Sequence, residues 1–443
     1  MIRSNSSRTS TSTVPLSNVH FRQPQSHLQR QPQNTALTAA AVGLQRPKTA
    51  PNLNPLFGSP QTSEDQLKST IHQTNRTYNI NSTSSPITQC SDENSLLNVS
   101  PTLPDASETP STSESTVHFV PVCKYVDKQA IRAVAFHPSG RYFALGTNSK
   151  QMLICKYPYT ESRKNKSAPQ NIDVLLKRPK QHRGSVYCIG FNPNGELLAT
   201  GSNDKTMRLM SFNTEQCKIG AEIELTVHDG TVRDLIFMED AAHRTVLVSG
   251  GAGNCRIYLT DCSTGKTFNT YQGHTAAILG LYTWGSASFV SCSQDKTVRF
   301  WDLRTAQAIH VVAPSSKMSN APVTSVCVDP SGKLLVTGHE DASIMLYDIS
   351  GRRIVQIFRP HGDEVRTVRF SNAAYYLLSG SYDRRIVFTD MRGDLTSPLL
   401  YLPVAEHSDK IIQWHPQDFS FLSTSADRSA VLWSLPPPIT THN

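Results

Sequence analysis

Short stretches of apolar and alternating side chains recur along the chain from Val117 onward. One of them, residues 186–191, is followed by a turn with Pro and Gly at 192–195, a second apolar stretch and a tight turn at Asp204. Pro and Gly preset the backbone dihedrals that such turns require. An alternation with a period of two, interrupted by turns, predicts antiparallel strands joined as a meander.

The tight turn returns seven times. Its Asp, or a residue in place of Asp, recurs at intervals of 42 to 55 residues, at Ser149, Asp204, Gly253, Asp295, Asp341, Asp383 and Asp427. A repeat of about forty residues with several short strands is typical of the blades of a propeller. We therefore expect an all-β fold, a seven-bladed β-propeller over residues 117–435. The widest interval contains a basic insert from about Lys156 to Lys180.

The two ends of this region are predicted to complete one blade. Only Ser434, Leu435 and a Pro-rich tail, residues 436–443, follow Trp433, so the last repeat lacks its outermost strand. Residues 117–123 precede the first repeat and have no other partner. Pairing them with the last repeat would close the ring and cover a strand edge.

Residues 1–115 have a different character. They are rich in Ser, Thr, Pro, Asn and Gln and lack periodic apolar segments. Such a segment cannot bury enough apolar surface to offset the entropy lost on ordering, so we expect a disordered N-terminal arm. Its Ser-Pro and Thr-Pro pairs fit a phosphorylatable arm as well as they fit a passive tail.

Composition narrows the classes of function. The net charge is +8, yet only 18% of the residues are charged, which is below the quarter or so that is usual. No apolar stretch is long enough to cross a bilayer, and the first residues lack the apolar core of a signal peptide. Nine scattered Cys without a CxxC pair favour buried, reduced thiols. We expect a cytoplasmic protein without membrane contact, bound metal or cofactor.

A set of four polar and aromatic side chains recurs with the tight turn. Two sets are complete and three are partial: His274, Ser291, Asp295, Trp301; His407, Ser423, Asp427, Trp433; His182, Thr200, Asp204; His361, Ser379, Asp383; and Thr337, Asp341. Over about three quarters of the chain this pattern resembles the WD40 family, in which such residues form a buried hydrogen-bonded tetrad. The resemblance implies a structural role for them. Because no HExxH, P-loop or GxGxxG motif is found, we expect no catalytic residues and no enzyme.

A second set of positions lies at the start of the innermost strands. The resemblance implies that they ring the mouth of the central channel, and they are Arg132, Tyr187, Arg233, Ile278 or Leu279, Thr324, Arg366 and Lys410. Four cationic side chains there would focus positive potential, and Arg binds carboxylates and phosphates through paired bonds. We expect a docking face for acidic or phosphorylated protein segments.

Two features qualify this docking face. Tyr382 precedes a tight-turn Asp and would lie beside Arg366, which predicts an aromatic-plus-Arg contact typical of binding hot spots. The alternative is that each Arg pairs with an acid near it in the sequence, such as Asp234, Asp363 or Glu364.

Two narrower resemblances suggest functions. Trp301, Asp302 and Arg304 resemble the WDxR box through which WD40 proteins join cullin-type ubiquitin ligases, so a substrate receptor is the alternative function. Residues 184–304 are similar to neuronal microtubule-associated WD-repeat proteins, notably in the Gly-Gly-Ala-Gly-Asn run at 250–254. That likeness implies a cytoskeletal scaffold with microtubules or microtubule-associated proteins as partners. Such relatives also carry N-terminal LisH and CTLH helices, which have no counterpart in this sequence.

The basic insert allows salt-dependent attraction to an acidic polymer, or it is a solvated loop. Few aromatic side chains accompany its Lys and Arg residues. Because single-stranded nucleic acid is bound largely through stacking on aromatic rings, the insert argues against a nucleic-acid partner.

Overall fold

Every regular element of the computed structural model is a β-strand within the described residues, which are 119–158, 168–314, 320–373, 375–407 and 409–435. The predicted arm, residues 1–115, and the tail, residues 436–443, lie outside them. The strands, numbered along the chain, begin with β1 (Val120–Val126), β2 (Ile131–Phe136), β3 (Tyr142–Thr147), β4 (Met152–Lys156), β5 (Gln170–Asn171), β6 (Val174–Arg178), β7 (Val186–Phe191), β8 (Leu197–Ser202), β9 (Met207–Asn213), β10 (Lys218–Leu225), β11 (Val232–Glu239), β12 (Thr245–Gly251), β13 (Ile257–Asp261) and β14 (Lys266–Tyr271). They continue with β15 (Ile278–Trp284), β16 (Ser288–Ser293), β17 (Val298–Asp302), β18 (His310–Val312), β19 (Val323–Val328), β20 (Leu334–His339), β21 (Ile344–Asp348), β22 (Arg353–Phe358), β23 (Val365–Phe370), β24 (Tyr376–Ser381), β25 (Arg385–Asp390), β26 (Tyr401–Glu406), β27 (Asp409–Trp414), β28 (Ser420–Ser425) and β29 (Ser429–Ser434).

These strands form seven antiparallel sheets, the blades of a propeller. Blade 1 consists of β2, β3, β4 and β6, and blades 2 to 6 each take the next four strands in turn. Blade 7 combines β27, β28 and β29 with β1. The innermost strands β2, β7, β11, β15, β19, β23 and β27 contact one another in a closed ring. The predicted fold, an all-β propeller with seven blades, is confirmed.

The core lies between the blades. Val290 and Phe300 of blade 4, for example, pack with Val326 and Leu335 of blade 5. Because each blade is covered on both faces, its inner strands are buried almost throughout: β28 and β29 are buried at every residue. Outer strands such as β6 alternate between partly buried and exposed residues. This explains why the inner strands read as continuous apolar runs and only the outer ones alternate.

The ring is closed by β1, which pairs with β29 from Val126 opposite Ser429 to Val120 opposite Ser434. The strand covers Val120–Val126 rather than the expected residues 117–123. The strand β1 ends at Val126, opposite Ser429, the first residue of β29. Directly after it, the backbone N–H of Asp127 donates to the carbonyl of Arg428 over 2.8 Å, and the chain turns into blade 1.

A parallel pairing on the outer side of β1 was not predicted. The two residues of β5, Gln170 and Asn171, pair with Cys123 and Lys124. Next to them Ile172 is buried, and its backbone N–H donates to the carbonyl of Lys124 over 3.1 Å. The segment between the third and fourth strands of blade 1 thus adds a fifth strand to blade 7.

The same segment contacts blade 7 a second time. Tyr157, which follows β4, donates its hydroxyl to Asp418 Oδ2 over 2.6 Å and lies 2.7 Å from Ser420 Oγ. We call Tyr157 together with residues 170–172 the clasp. The clasp connects blade 1 to blade 7 in addition to the ordinary closure by β1.

Candidate partner-binding face

Blade 4 contains a complete hydrogen-bonded tetrad. His274 lies 2.8 Å from Asp295 through Nδ1 and 2.6 Å from Ser291 Oγ through Nε2, and Trp301 Nε1 donates to the same hydroxyl over 2.8 Å. Burial alone would raise the pKa of Asp295, but bonds from His274 and Thr297 outweigh this and hold that pKa well below its usual range. All four side chains are bound within the blade, an arrangement that joins its three inner strands.

Blades 2, 6 and 7 contain related networks. Their His to Ser or Thr distances are 2.8 Å for His182 and Thr200, 2.8 Å for His361 and Ser379, and 2.6 Å for His407 and Ser423. Their His to Asp distances are 3.2 Å for Asp204, 3.0 Å for Asp383 and 3.5 Å for Asp427. Trp433 completes blade 7 by donating to Ser423 over 2.8 Å. In blades 2 and 6 the place of Trp is taken by Met210 and Thr389.

Blade 3 retains two tetrad members that the sequence analysis missed. His228 Nε2 lies 2.9 Å from Ser249 Oγ, and both side chains are buried. Burial lowers the pKa of His228 to about 4. His228 precedes the start of β11 by the same four residues that separate His274 from β15, and this spacing was the available signal.

Blade 5 supplies its histidine from a different place. His339, at the end of β20, lies 2.8 Å from Thr337 through Nε2, and both are completely buried. Burial lowers the pKa of His339. A histidine from the strand itself thus replaces the one that precedes the blade elsewhere.

Blade 1 has different residues at the His and Asp positions of the tetrad. Asp127 lies where blades 2, 3, 4, 6 and 7 have His, and Ser149 lies where all of these except blade 3 have Asp. The Ser149 hydroxyl donates to Asp127 Oδ2 in a very short bond. Thr147 and Gln151 join this group at 2.7 Å and 2.8 Å from Ser149 Oγ. Cys155 takes the place of Trp and is completely buried.

The predicted mouth residues surround one cavity of about 100 Å³ at an end of the channel. Each is the second residue of its innermost strand, and together they are Arg132, Tyr187, Arg233, Leu279, Thr324 and Arg366. Blade 4 contributes Leu279, which resolves the choice between Ile278 and Leu279. Lys410 has the same place in β27, but its side chain is outside the described part of the structure. We call this ring of residues the mouth.

One side of the mouth contains two guanidinium groups over a single aromatic ring. The Cζ atoms of Arg132 and Arg233 lie 4.8 Å and 5.0 Å from the ring centroid of Tyr187, within the range of cation–π attraction. Arg132 also donates to the side chain of Asn148. Neither Arg forms an ion pair with a described acid, and Arg233 Nε is buried without a described hydrogen-bond acceptor.

On the other side of the mouth, positive charge is partly neutralised. Arg366 donates to Glu364 in a very short bond, and its Cζ lies 5.2 Å from the ring centroid of Tyr382. The predicted Arg–Tyr contact and the alternative of pairing with a neighbouring acid are therefore both present here. The uncompensated cationic side is that of Arg132 and Arg233.

Asp234 does not neutralise Arg233. Its carboxylate accepts the backbone N–H of Leu281 over 2.7 Å and that of Leu235 over 2.9 Å. Burial raises the pKa of Asp234 to about 6, although both backbone bonds and the charge of Arg369 oppose the shift. Asp234 and Arg369 line both the mouth cavity and the neighbouring channel cavity, so they mark the floor of the mouth.

The residues of the WDxR box form a local ion pair. Arg304 donates to Asp302 through Nε over 2.7 Å and through Nη2 over 2.5 Å, while Trp301 is buried in the tetrad. Arg392 and Asp390 in blade 6 make the same paired contact at 2.9 Å and 2.6 Å without a preceding Trp. The pairing is therefore a property of the turn, and it gives no particular support to ligase recruitment.

Over the described ranges, no group of three or more His, Cys, Asp or Glu side chains is arranged to hold a metal ion. The same ranges contain no helix with the length and apolar character needed to span a membrane. Six of the eight described Cys are buried.

Comparison with known proteins adds the family. The model of the WD domain, G-beta repeat, matches residues 174–210, 265–302, 314–348 and 352–390. "Echinoderm microtubule-associated protein-like 2" of Rattus norvegicus is 29% identical over 57% of this chain and 37% of its own length. A "Guanine nucleotide-binding protein subunit beta" of Arabidopsis thaliana is 29% identical over 56% of this chain and 66% of its own length. The "Nuclear distribution protein PAC1" of Coccidioides posadasii is 26% identical over 65% of this chain and 65% of its own length.

The chain thus spans about a third to two thirds of the length of these relatives. The four matched ranges cover most or all of the three inner strands of blades 2, 4, 5 and 6. The chain therefore contains WD40 repeats, and they form blades of the observed seven-bladed propeller.

Proposed function

We propose that the chain is a non-enzymatic scaffold that docks acidic or phosphorylated segments of partner proteins at the mouth. The observation that carries this proposal is the pair of guanidinium groups, from Arg132 and Arg233, over the ring of Tyr187, with no acid partner among the described residues. Guanidinium groups bind carboxylates and phosphates through paired charge-assisted bonds. Arg and Tyr are also the residue types that dominate binding energy at protein interfaces.

The position of these groups supports tight recognition. Arg132, Tyr187 and Arg233 lie on the innermost strands of blades 1, 2 and 3, which contact one another around the ring. Their backbones are held by buried inter-blade packing, so an incoming segment would not have to order a loop. A preorganised site spends less of its contact energy on ordering than a mobile one does.

The relatives suggest the setting. One carries the words microtubule-associated in its name, and another is a nuclear distribution protein. We infer that this chain serves in microtubule-associated assemblies, where its mouth binds acidic segments of the partner proteins or of the microtubule surface. Attraction to such surfaces weakens as salt increases, because exposed charges are screened beyond about 10 Å at 0.1 M ionic strength.

Co-sedimentation of the full chain with microtubules, at increasing salt, tests the proposal. The wild-type chain should pellet at low salt and be released as salt rises. The Arg132→Glu/Arg233→Glu variant should lose pelleting, because it reverses the uncompensated side of the mouth. Arg366→Glu should have a smaller effect, since Glu364 already neutralises that side chain.

A matched control keeps the same change of net charge away from the mouth. Arg141→Glu/Arg352→Glu replaces two exposed arginines in turns at the opposite end of their blades and should pellet like the wild type. Equal pelleting of the mouth and control variants would refute the docking face. If wild type fails to pellet, direct microtubule attachment is refuted, and a comparative pull-down with the same variants then decides whether the mouth binds other protein partners.

A further inference from the structure

A second cationic surface lies at the outer edge of the junction between blades 7 and 1. A cavity of about 500 Å³ opens between the end of β1 and the end of β6. Tyr125 and Val126 line it from β1, and Lys128 from the turn that follows. Lys177, Pro179 and Lys180 line it from the opposite side. We call this surface the rim groove.

The rim groove has unbalanced positive charge. Lys128, Lys177 and Lys180 are all exposed, and none of them forms an ion pair with a described acid. Asp127 also lines the groove, but its carboxylate accepts the Ser149 hydroxyl and is buried. An incoming acidic group would therefore meet three ammonium groups and no repelling carboxylate at the surface.

The groove also offers apolar contact. Val126 is 60% exposed, the largest value among the exposed large hydrophobic side chains of the described residues. Pro179 is exposed on the opposite side, and Tyr125 is half-buried between them. One exposed apolar side chain is ordinary on a protein surface. Here three apolar groups share a groove with the three lysines, which suits a segment that carries both acidic and apolar side chains.

A buried acceptor in the groove points to a peptide backbone. Gln151 donates its Nε2 to Ser149 over 2.8 Å, which leaves its Oε1 buried without a hydrogen-bond partner in the described residues. A buried carbonyl oxygen without a donor is unfavourable, so a Gln151 side chain that turns its Oε1 towards the groove gains a hydrogen bond from an incoming N–H group. Each residue of an extended peptide other than Pro brings one such donor.

The origin of the groove is the altered network of blade 1. Where blade 4 buries His274 against Asp295, blade 1 has the smaller Asp127 and Ser149, and Gln151 reaches in to bond with Ser149. The unsatisfied Oε1 of Gln151 therefore results from the Asp and Ser that blade 1 has in place of the tetrad His and Asp.

We propose that the rim groove binds an acidic peptide segment of a partner protein. Its carboxylates pair with Lys128, Lys177 and Lys180, a backbone N–H donates to Gln151 Oε1, and one apolar side chain packs between Val126 and Pro179. Lysine ammonium groups act as point charges and accept carboxylates in varied orientations, which suits an acidic stretch better than a single fixed anion. This binding site is separate from the mouth and does not rest on the function proposed for it.

The test uses the full chain and a fluorescein-labelled oligoglutamate peptide that carries one leucine, followed by fluorescence anisotropy across a salt series. Lys128→Gln/Lys177→Gln/Lys180→Gln should weaken binding by about tenfold or more, because three favourable pairs are lost, and should reduce its salt dependence. The matched control, Lys218→Gln/Lys266→Gln/Lys333→Gln, removes three exposed lysines from blades 2, 3 and 5 and should bind like the wild type.

Gln151→Leu separates a built groove from a diffuse positive surface. It removes the acceptor without changing the charge, so it should weaken binding by about fivefold while leaving the salt dependence unchanged. The Arg132→Glu/Arg233→Glu variant should still bind the peptide. Equal loss in the lysine variant and its control, wild-type binding by Gln151→Leu, or loss confined to the mouth variant would each overturn the proposal.

Discussion

Blades 1 and 4 occupy equivalent places in the ring but satisfy their buried polar atoms differently. Blade 4 uses His274, Ser291, Asp295 and Trp301 in one connected network. Blade 1 has Asp127, Leu145, Ser149 and Cys155 at the same positions and bonds through a hydroxyl and a carboxylate. Both blades are fully formed sheets. The fold therefore requires that buried polar atoms find partners, whereas the identity of those partners can change.

Replacing Trp301, the aromatic member of the blade 4 tetrad, should have the largest effect on the free energy of unfolding. Trp301 is 1% exposed and packs against Tyr271 and Phe289 at centroid distances of 5.1 Å and 6.2 Å. Trp301→Cys gives blade 4 the residue of blade 1, leaves a cavity and removes the bond to Ser291. We expect the free energy of unfolding to fall by about 3–5 kcal/mol, measured by denaturant titration.

The matched change in blade 1 is Cys155→Ala. It removes a single sulfur atom from a completely buried site, so its cost should be about 1 kcal/mol. Similar costs for the two variants would show that the tetrad is no more important to its blade than the replacement network is.

Blade 3 shows what a histidine does without a tetrad Asp. Burial, only partly opposed by the charge of Asp229, lowers the pKa of His228 from 6.5 to about 4. A depressed pKa contributes stability that is complete above pH 6.5 and is lost as the pH falls towards 4. One pKa unit corresponds to about 1.4 kcal/mol, so the loss approaches about 3 kcal/mol.

The variant His228→Gln cannot titrate in this range. The difference in unfolding free energy between wild type and variant should therefore narrow steadily as the pH falls from 6.5 to 4. Denaturant titrations at several pH values measure it, with the difference above pH 7 as the reference. A difference that stays constant down to pH 4 would contradict a buried, neutral His228.

Removing the charge of the tetrad carboxylate in blade 4 should have the next largest effect on stability. Asp295→Asn leaves the shape of blade 4 unchanged. An NH₂ group and a weaker acceptor replace the carboxylate oxygens that bond with His274, Thr275 and Thr297. At neutral pH we expect a loss of about 2 kcal/mol. Since the pKa of Asp295 is lowered from 3.8 in the folded chain, its contribution is present above pH 3.8 and lost as the pH falls further.

The deficit of Asp295→Asn relative to wild type should therefore shrink below pH 3.8 in denaturant titrations. Asp127→Asn in blade 1 is the control, and it should cost less, about 1 kcal/mol, because Asp127 accepts one side-chain bond. A deficit of Asp295→Asn that is independent of pH would show that its cost is steric rather than electrostatic.

The clasp should give the smallest effect. Tyr157→Phe removes the hydroxyl that binds Asp418 and Ser420 and should cost about 1 kcal/mol. Amide hydrogen exchange should accelerate in β1 and β5 while the strands of blade 4 remain as in the wild type. Unchanged exchange in β1 would mean that the clasp adds nothing to closure by β29.

The seven turns could be predicted from the sequence because their signal is local. A turn Asp such as Asp204 or Asp295 caps its own turn, so it recurs in five of the seven blades, while Ser149 and Gly253 stand at its position in blades 1 and 3. The mouth could be predicted for a related reason. Equivalent positions of equivalent strands lie at the same level of a closed ring, and Arg132, Tyr187 and Arg233 therefore meet.

Other features depend on contacts that the sequence pattern does not encode. His339 performs in blade 5 what His361 performs in blade 6, but it comes from a strand rather than the preceding turn. The pairing of β5 with β1 involves two residues, too few for any periodicity. Spacing alone does not identify either feature.

The charge balance of the mouth was predictable in part. Glu364 lies only two positions before Arg366 and pairs with it. Asp234 is adjacent to Arg233 but bonds to the backbone of Leu281 in the next blade. The strands have a register shift at both arginines, so the alternation of side chains along a strand does not reveal which Arg is neutralised.

The register of the closing strand also determines how the ring responds to force. Val120 pairs with Ser434 at the same end of blade 7, so tension between the chain before β1 and the chain after β29 separates their pairs one at a time. This peeling geometry yields at lower load than shearing all pairs together. β5 adds a third strand at Cys123 and Lys124, partway along the peel. We therefore expect pulling to open blade 7 from the Val120–Ser434 end first and to meet added resistance at the two residues paired with β5.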